Sequence, residues 1–272
     1  MRPPLSKDTR LCISLAGRPS NIGTKFHNHL YDQLGLDFIY KAFTTIDIEA
    51  AIGGVRALGI RGCSVSMPFK EAVIPLVDKI EPSARAIHSV NTIVNDNGQL
   101  TASNTDYIAV QRLIDEYDLQ STDTVLIRGS GGMASAVGAA FRDSGFHSGV
   151  VVARNPEAGR ALAGRLDYDY ASDVGTRAAP IVVNVTPIGM AGGPEESETA
   201  FDDATIAKAQ VVFDVVALPS ETPLIKAARA AGIKVITGAE VIALQAAEQF
   251  ERYTGVRPTA EQIAEASVIS RA

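Results

Sequence analysis

The sequence predicts an α/β chain of two domains with a cleft between them, and three observations carry that expectation. Short runs of β-branched and apolar residues alternate with longer segments of helical spacing. The alternation lapses after about Asn104 and restarts at Thr124, which is how two α/β units in tandem read. A glycine cluster, Gly129-Ser130-Gly131-Gly132, sits between an apolar run and an alanine-rich helical segment, as the first turn of a doubly wound nucleotide-binding sheet requires.

In chain order, Leu11–Leu15 reads as a strand, Phe26–Leu34 as a helix, Phe38–Phe43 as a strand, Ile46–Leu58 as a helix and Gly62–Ser66 as a strand. Tyr107–Tyr117 reads as a helix linking the two units. The second series runs through Thr124–Arg128 (strand), Ala134–Arg142 (helix) and Gly149–Ala153 (strand). Further strands are expected at Ile181–Val185, Val211–Val215 and Ile233–Ile236. A parallel, doubly wound sheet follows from this order. Val241–Tyr253, apolar at Val241, Leu244, Ala247 and Phe250, reads as an amphipathic helix.

Composition narrows the function. With 46% hydrophobic and 21% charged residues over 272 positions, the chain has the makeup of a soluble enzyme rather than a disordered segment. A net charge of -6 with no basic run argues against nucleic acid as a partner. No apolar stretch approaches membrane-spanning length, and Leu11–Leu15 is too short for a signal core, so a cytoplasmic protein is expected. The two cysteines, Cys12 and Cys63, have neither a metal-ligand spacing nor a disulfide framework around them and read as buried small residues. No metal is expected, and the sequence leaves monomer and homodimer open.

Chemistry concentrates in a few blocks. Ser64-Val65-Ser66-Met67-Pro68-Phe69-Lys70 ends in a lysine that the fixed backbone of Pro68 places where a strand ends and a helix begins. His88-Ser89-Val90-Asn91-Thr92 follows, and then Asn104-Thr105-Asp106. Taken singly, Lys70 is an exposed lysine and Asp106 a helix cap. Together they offer one polar substrate a lysine, a carboxylate and several hydroxyls, which is what proton transfer at an alcohol or carbonyl oxygen requires. Glycines at 129, 131 and 132 would let backbone N–H groups approach a pyrophosphate at a helix start. The next strand ends at Ala153-Arg154-Asn155, where a guanidinium stands in place of the acidic residue that would hold ribose hydroxyls and repel a 2′-phosphate; this favours NADP over NAD.

The order of these blocks resembles the shikimate dehydrogenase family, whose members carry N-V-T-x-P-F-K, V-N-T, N-T-D and G-x-G-G-x-x-x-A segments in that order. The resemblance runs from about Cys12 to about Gly255. It implies an N-terminal substrate domain over residues 1–105, completed by 240–272, and a Rossmann-like NADP domain over 106–239. It implies hydride transfer between NADP and a cyclic hydroxy acid such as shikimate, quinate or an amino analogue, with Lys70 and Asp106 as a catalytic dyad. Ser64, Ser66, Asn91, Thr92 and Gln245 match substrate-binding positions. Gly129, Ser130, Gly131, Gly132, Met133, Ala134 and Arg154 match the cofactor turn and its adenosine end. Asn184 and Thr186, in a match to N-A-T-P-x-G-M, together with Val215 and Gly238, match the nicotinamide end.

The departures cluster on the substrate side. The early S-x-S-P loop that holds the substrate carboxylate is replaced by a shorter segment from Gly17 to Asn28, in which Ser20 and Thr24 are the stand-ins. Ser64 replaces an asparagine, Ala217 a tyrosine and Tyr107 a glycine. The pattern is that of the divergent shikimate dehydrogenase-like branch. A protein that keeps the fold but only senses a metabolite or nucleotide is the alternative from another class.

Overall fold

The computed structural model describes residues 2–271. The chain forms two compact units, one closing at Ile108 and resuming at Ala243, the other spanning Ala109–Ile242. Asp106 therefore belongs to the first unit with Lys70, not to the second, where the sequence boundary put it. It lies in the first turn of a helix whose opening residue, Thr105, is bonded into the first unit through Asn91.

The first unit holds strands β1 (Arg10–Leu15), β2 (Phe38–Phe43), β3 (Gly62–Val65), β4 (Lys79–Ile80), β5 (Thr92–Asp96) and β6 (Gln99–Ser103). Its helices are α1 (Ile22–Leu34), α2 (Ile48–Ala57) and the single turn α3 (Pro82–Arg85), and α4 (Thr105–Glu116) begins here. The sheet runs β2-β1-β3-β5-β6-β4 and is mixed, not parallel as the sequence suggested: β5 is antiparallel to both β3 and β6. The cause is a hairpin whose turn, Asn97-Gly98, takes positive φ at both residues (53° and 92°), the conformation that matches strand twist in a two-residue connection. Asn95 fixes it, accepting from Gly98 N–H at 2.7 Å and donating to Val55 O at 2.8 Å.

Period-two alternation makes two cores. Ile13, Leu15, Cys63, Val65 and Ile93 pack with Ile52 and Val55 of α2, while Cys12, Tyr40 and Val94 on the other face pack with Phe26, Leu30 and Tyr31 of α1. Phe250 and Tyr253 of α9 (Gly238–Thr254) join the second face, as do Ile263 and Ala266 of α10 (Ala260–Arg271). Gly62 is required there, because an added Cβ would lie 2.3 Å from the Tyr253 ring.

The second unit is fully parallel. Its strands β7 (Val125–Arg128), β8 (Gly149–Val152), β9 (Asp169–Ala171), β10 (Ile181–Asn184), β11 (Val211–Asp214) and β12 (Lys234–Thr237) run in the order β12-β11-β10-β7-β8-β9. Helices α5 (Gly132–Asp143), α6 (Pro156–Leu166), α7 (Asp203–Ile206) and α8 (Pro223–Ala230) connect them. Strand order reverses between β7 and β10, and in such sheets ligands bind outside the strand ends at that point. No helix among the described residues is long and apolar enough to cross a membrane.

Candidate active site

Lys70 does not open a helix. It lies in a run of turns over residues 67–73 that ends in a short 3-10 segment, Ile74–Leu76. Phe69 N–H donates to Ser66 O at 2.9 Å, and Lys70 O accepts from Val90 N–H at 2.9 Å, so the lysine's backbone is pinned to the segment just before β5. At the head of α4 the cap is Asn104, whose Oδ1 accepts from Tyr107 N–H at 3.1 Å; Asp106 is left free of capping. Its Oδ2 accepts from Lys70 Nζ at 2.8 Å. The two side chains retain 29% and 19% of their surface, so the pair is sheltered yet reachable.

Behind the pair lies a buried polar net. Asn91 Oδ1 accepts from Thr92 Oγ1 at 2.8 Å and from the Thr105 N–H at 2.8 Å. The Thr105 hydroxyl lies 3.4 Å from Gln245 Oε1. Gln249, which the sequence reading passed over, donates to Asn91 O at 3.3 Å and to Thr92 Oγ1 at 3.1 Å. Its signal was present: it stands four residues after Gln245, on the same face of α9. Because buried polar atoms without partners are costly, a net this complete holds Asn91, Thr92 and Thr105 in one arrangement.

Strand register lines up more hydroxyls. Ser64 stands opposite both Ser14 and Thr92, and Thr92 opposite Ser103, so four hydroxyl residues share one face across β1, β3, β5 and β6. Ser64 Oγ is 2.7 Å from the hydroxyl of Tyr40, a residue no motif singled out. Gly23, in the first turn of α1, abuts that same hydroxyl, with an added Cβ falling 3.4 Å from it. Thr24 follows with its own hydroxyl buried and unpartnered among the described residues, whereas Ser20 and Ser66 are exposed.

In the second unit the glycine turn is built as the sequence demands. Gly129 has φ of 130°, and a Cβ there would lie 2.8 Å from Val185 Cγ2 and 2.9 Å from Val185 O. That glycine lets β7 and the loop after β10 approach. Gly131 and Gly132 are different: an added Cβ meets nothing within 4 Å at either. They keep the approach to the start of α5 open, and Gly131 as N-cap offers no side chain to the first-turn N–H groups. Met133 is half-buried, and Ala134, fully buried, turns its side chain into the core.

A pocket of about 690 Å³ opens beside the turn, with Arg128, Ser130, Gly131, Arg154 and Thr186 in its walls. Arg154 is 79% exposed and lies 3.5 Å from Glu195. Asn155 caps α6, accepting from Glu157 N–H at 3.0 Å. Phosphorylated ligands suit such walls: free N–H groups and guanidinium donors with space between them.

The residues expected at the nicotinamide end have internal roles. Asn184 is fully buried; its amide donates to Ile188 O at 3.2 Å and Asp214 Oδ1 at 2.9 Å, and its Oδ1 accepts from Thr186 Oγ1 at 2.6 Å. It orients Thr186 rather than facing a ligand. Burial pushes the Asp214 carboxyl above the usual range, only partly opposed by donation from Thr222 Oγ1 at 2.6 Å and Val216 N–H at 3.1 Å. Val215 N–H donates to Asn184 O at 3.0 Å. Gly238 is demanded by the Val215 carbonyl, 2.3 Å from where its Cβ would be. No cluster of three His, Cys, Asp or Glu side chains fit to hold a metal occurs among the described residues.

Comparison with known proteins finds relatives that match nearly the whole chain. A family model described as the shikimate dehydrogenase substrate-binding domain matches residues 21–93. The chain is 60% identical over 267 residues to a shikimate dehydrogenase-like protein of Haemophilus influenzae, covering 98% of each. It is 36% identical over 261 residues to the NADP(+) shikimate dehydrogenase of Chlorobium phaeobacteroides, covering 87% of this chain and 88% of that one. Among solved structures, the shikimate 5-dehydrogenase of Thermus thermophilus in complex with NADP(H) and shikimate superposes with a TM-score of 0.85 at 26% identity, over 96% of this chain and 99% of that one.

Proposed function

The chain belongs to the shikimate dehydrogenase family, and from that premise we propose that it is an NADP-dependent oxidoreductase interconverting shikimate, or a close cyclic polyol acid, with the corresponding ketone. The observation that carries the reading is the 2.8 Å contact between Lys70 Nζ and Asp106 Oδ2, sheltered but not closed off. The chemistry the cofactor would supply when bound is a hydride acceptor for the alcohol carbon in its oxidised form and a hydride donor for the ketone in its reduced form. The residues fit it: Gly131 and Gly132 leave backbone donors uncovered for a pyrophosphate, and Arg154 offers a guanidinium to a 2′-phosphate.

In reduction the Lys70 ammonium, held in place by Asp106, gives a proton to the reacting oxygen; in oxidation the neutral Lys70 amine takes that proton from the alcohol and becomes the ammonium that Asp106 holds. Asn91, Thr92, Ser64, Ser66 and Gln245 supply neutral donors and acceptors to ring hydroxyls. Ser20 and Thr24 hold the carboxylate, the Thr24 hydroxyl having no partner of its own. This set contains no element that selects shikimate over quinate.

Steady-state rates with NADP and NAD against shikimate and quinate test the reading. Turnover with NADP and one of the acids is expected, and Lys70→Ala should lower it by about 10²–10⁴-fold with cofactor affinity unchanged. Binding of NADP without oxidation of either acid would overturn the reading for these two substrates and favour a sensor on an enzyme fold.

A further inference from the structure

Arg128 is an odd residue for its place. It ends β7, one of the two central strands of a parallel sheet, directly after Val125, Leu126 and Ile127, which are all fully buried. A guanidinium there is partly desolvated, and it needs either acceptors or an anion. One N–H donates to Ala200 O, which anchors the group in a defined position. The side chain also lines the 690 Å³ pocket, on the wall shared with Arg154 and the glycine turn.

We propose that Arg128 is a second phosphate-recognising residue of this pocket, which with Arg154 holds a phosphomonoester dianion, and that Glu195 competes with that dianion for Arg154. The inference rests on the NADP reading above and deepens it, the dianion being the 2′-phosphate of the cofactor. Arg128 and Arg154 are close enough to repel each other, and burial together with that repulsion pulls Arg128 below the ordinary arginine range, with Glu195 opposing. Two like charges facing one cavity are stabilised by an anion between them. Glu195 supplies a single charge, 3.5 Å from Arg154. A phosphate monoester brings close to two charges and three acceptor oxygens.

The two arginines divide the work. Arg154 is largely exposed, whereas Arg128 is anchored and loses little freedom on binding. Other charges in the walls locate the anion. Asp202 is committed to capping α7 through Thr205 N–H at 2.8 Å, and Asp173 lies at 3.0 Å from Ser172 Oγ. Both carboxylates disfavour a phosphate on their side of the pocket, so its place is beside the arginines.

Calorimetric titration of the full chain with NADP, NAD, adenosine 2′,5′-bisphosphate and adenosine 5′-monophosphate tests the proposal, using the intact chain and the variants Arg128→Gln, Arg128→Lys and Glu195→Gln. Arg128→Gln should weaken NADP and the bisphosphate by about 10- to 100-fold, the effect of losing a charged hydrogen-bonding partner, and NAD and the monophosphate by less than about 3-fold. Arg128→Lys, which keeps the charge without the fork, should fall between. Glu195→Gln should tighten NADP by about 2- to 5-fold and leave NAD alone. Equal weakening of all four ligands by Arg128→Gln would assign the residue to the pyrophosphate or to the fold and overturn the proposal; so would no weakening. An intact chain that binds neither NADP nor NAD while still taking up the bisphosphate through Arg128 would sink the NADP reading alone.

Discussion

Lowering the pH from 8 to 5 should destabilise the first unit by about 2 kcal/mol through one side chain, His27. Its ring is fully buried, stacks on Tyr40 with centroids 4.4 Å apart and planes 8° apart, and has no good hydrogen bond at either nitrogen. Burial pushes its pKa from 6.5 down to about 3, a shift that Gln249 only partly offsets. The native state therefore stays neutral at pH 5, while the unfolded chain takes up a proton below pH 6.5. Stability is complete above that value and is lost as pH falls towards 3. With the unfolded value 1.5 units above the working pH, the penalty at pH 5 is about 2 kcal/mol, and it does not depend on how far below 5 the native value lies. Urea unfolding of the intact protein and of His27→Phe, at both pH values and followed by circular dichroism, isolates the effect. The phenylalanine keeps the stack and removes the titration, and contributions from other groups cancel in the difference. The intact protein should lose about 2 kcal/mol more than the variant. Parallel losses, within about 0.5 kcal/mol, would mean that His27 is solvated or partnered in solution.

Four further outcomes are expected. Asp106→Asn should slow turnover, and the Lys70→Ala, Asp106→Asn double variant should be little slower than the worse single one, because groups acting as a unit are not additive; multiplicative losses in kcat would separate their roles. Gly129→Ala should unfold at lower temperature, by about 3 kcal/mol of lost stability, since positive φ and the Val185 contact both forbid a side chain. Gly132→Ala should keep its thermal midpoint and bind NADP more weakly, having only open space to fill; unchanged NADP binding would remove that stretch from the cofactor site. Ser20→Ala with Thr24→Ala should raise KM for the acid by about 10-fold or more, and an unchanged KM would place the carboxylate elsewhere.

What the sequence displayed and what it hid follow from the range of the interactions involved. The strands Val125–Arg128, Ile181–Asn184 and Val211–Asp214 were legible because a strand buried on both faces is an uninterrupted apolar run. The β5–β6 hairpin is announced by Asn97-Gly98, but β5 opens on Thr92 and closes on Asn95 and Asp96, so only two apolar residues mark it as a strand. β9 covers only Asp169–Ala171, too few residues to show a period. Lys70 and Asp106 were identified by motif, yet the cap that frees Asp106 is Asn104, and that choice shows only in the backbone hydrogen bonds. The polar net was the least legible part. Gln249 and Thr92 are 157 residues apart, and nothing in either neighbourhood says that one donates to the other. Asn184 carries the opposite lesson. Its motif pointed outward to a ligand, while its bonds to Asp214 and Thr186 turn it inward. A side chain with two donors and an acceptor has the same chemistry in a site and in a scaffold, and only the identity of its partners separates the two. Arg128 belongs to that class as well: next to a glycine turn it reads as a strand-end cation, and its significance comes from the pocket it shares with Arg154.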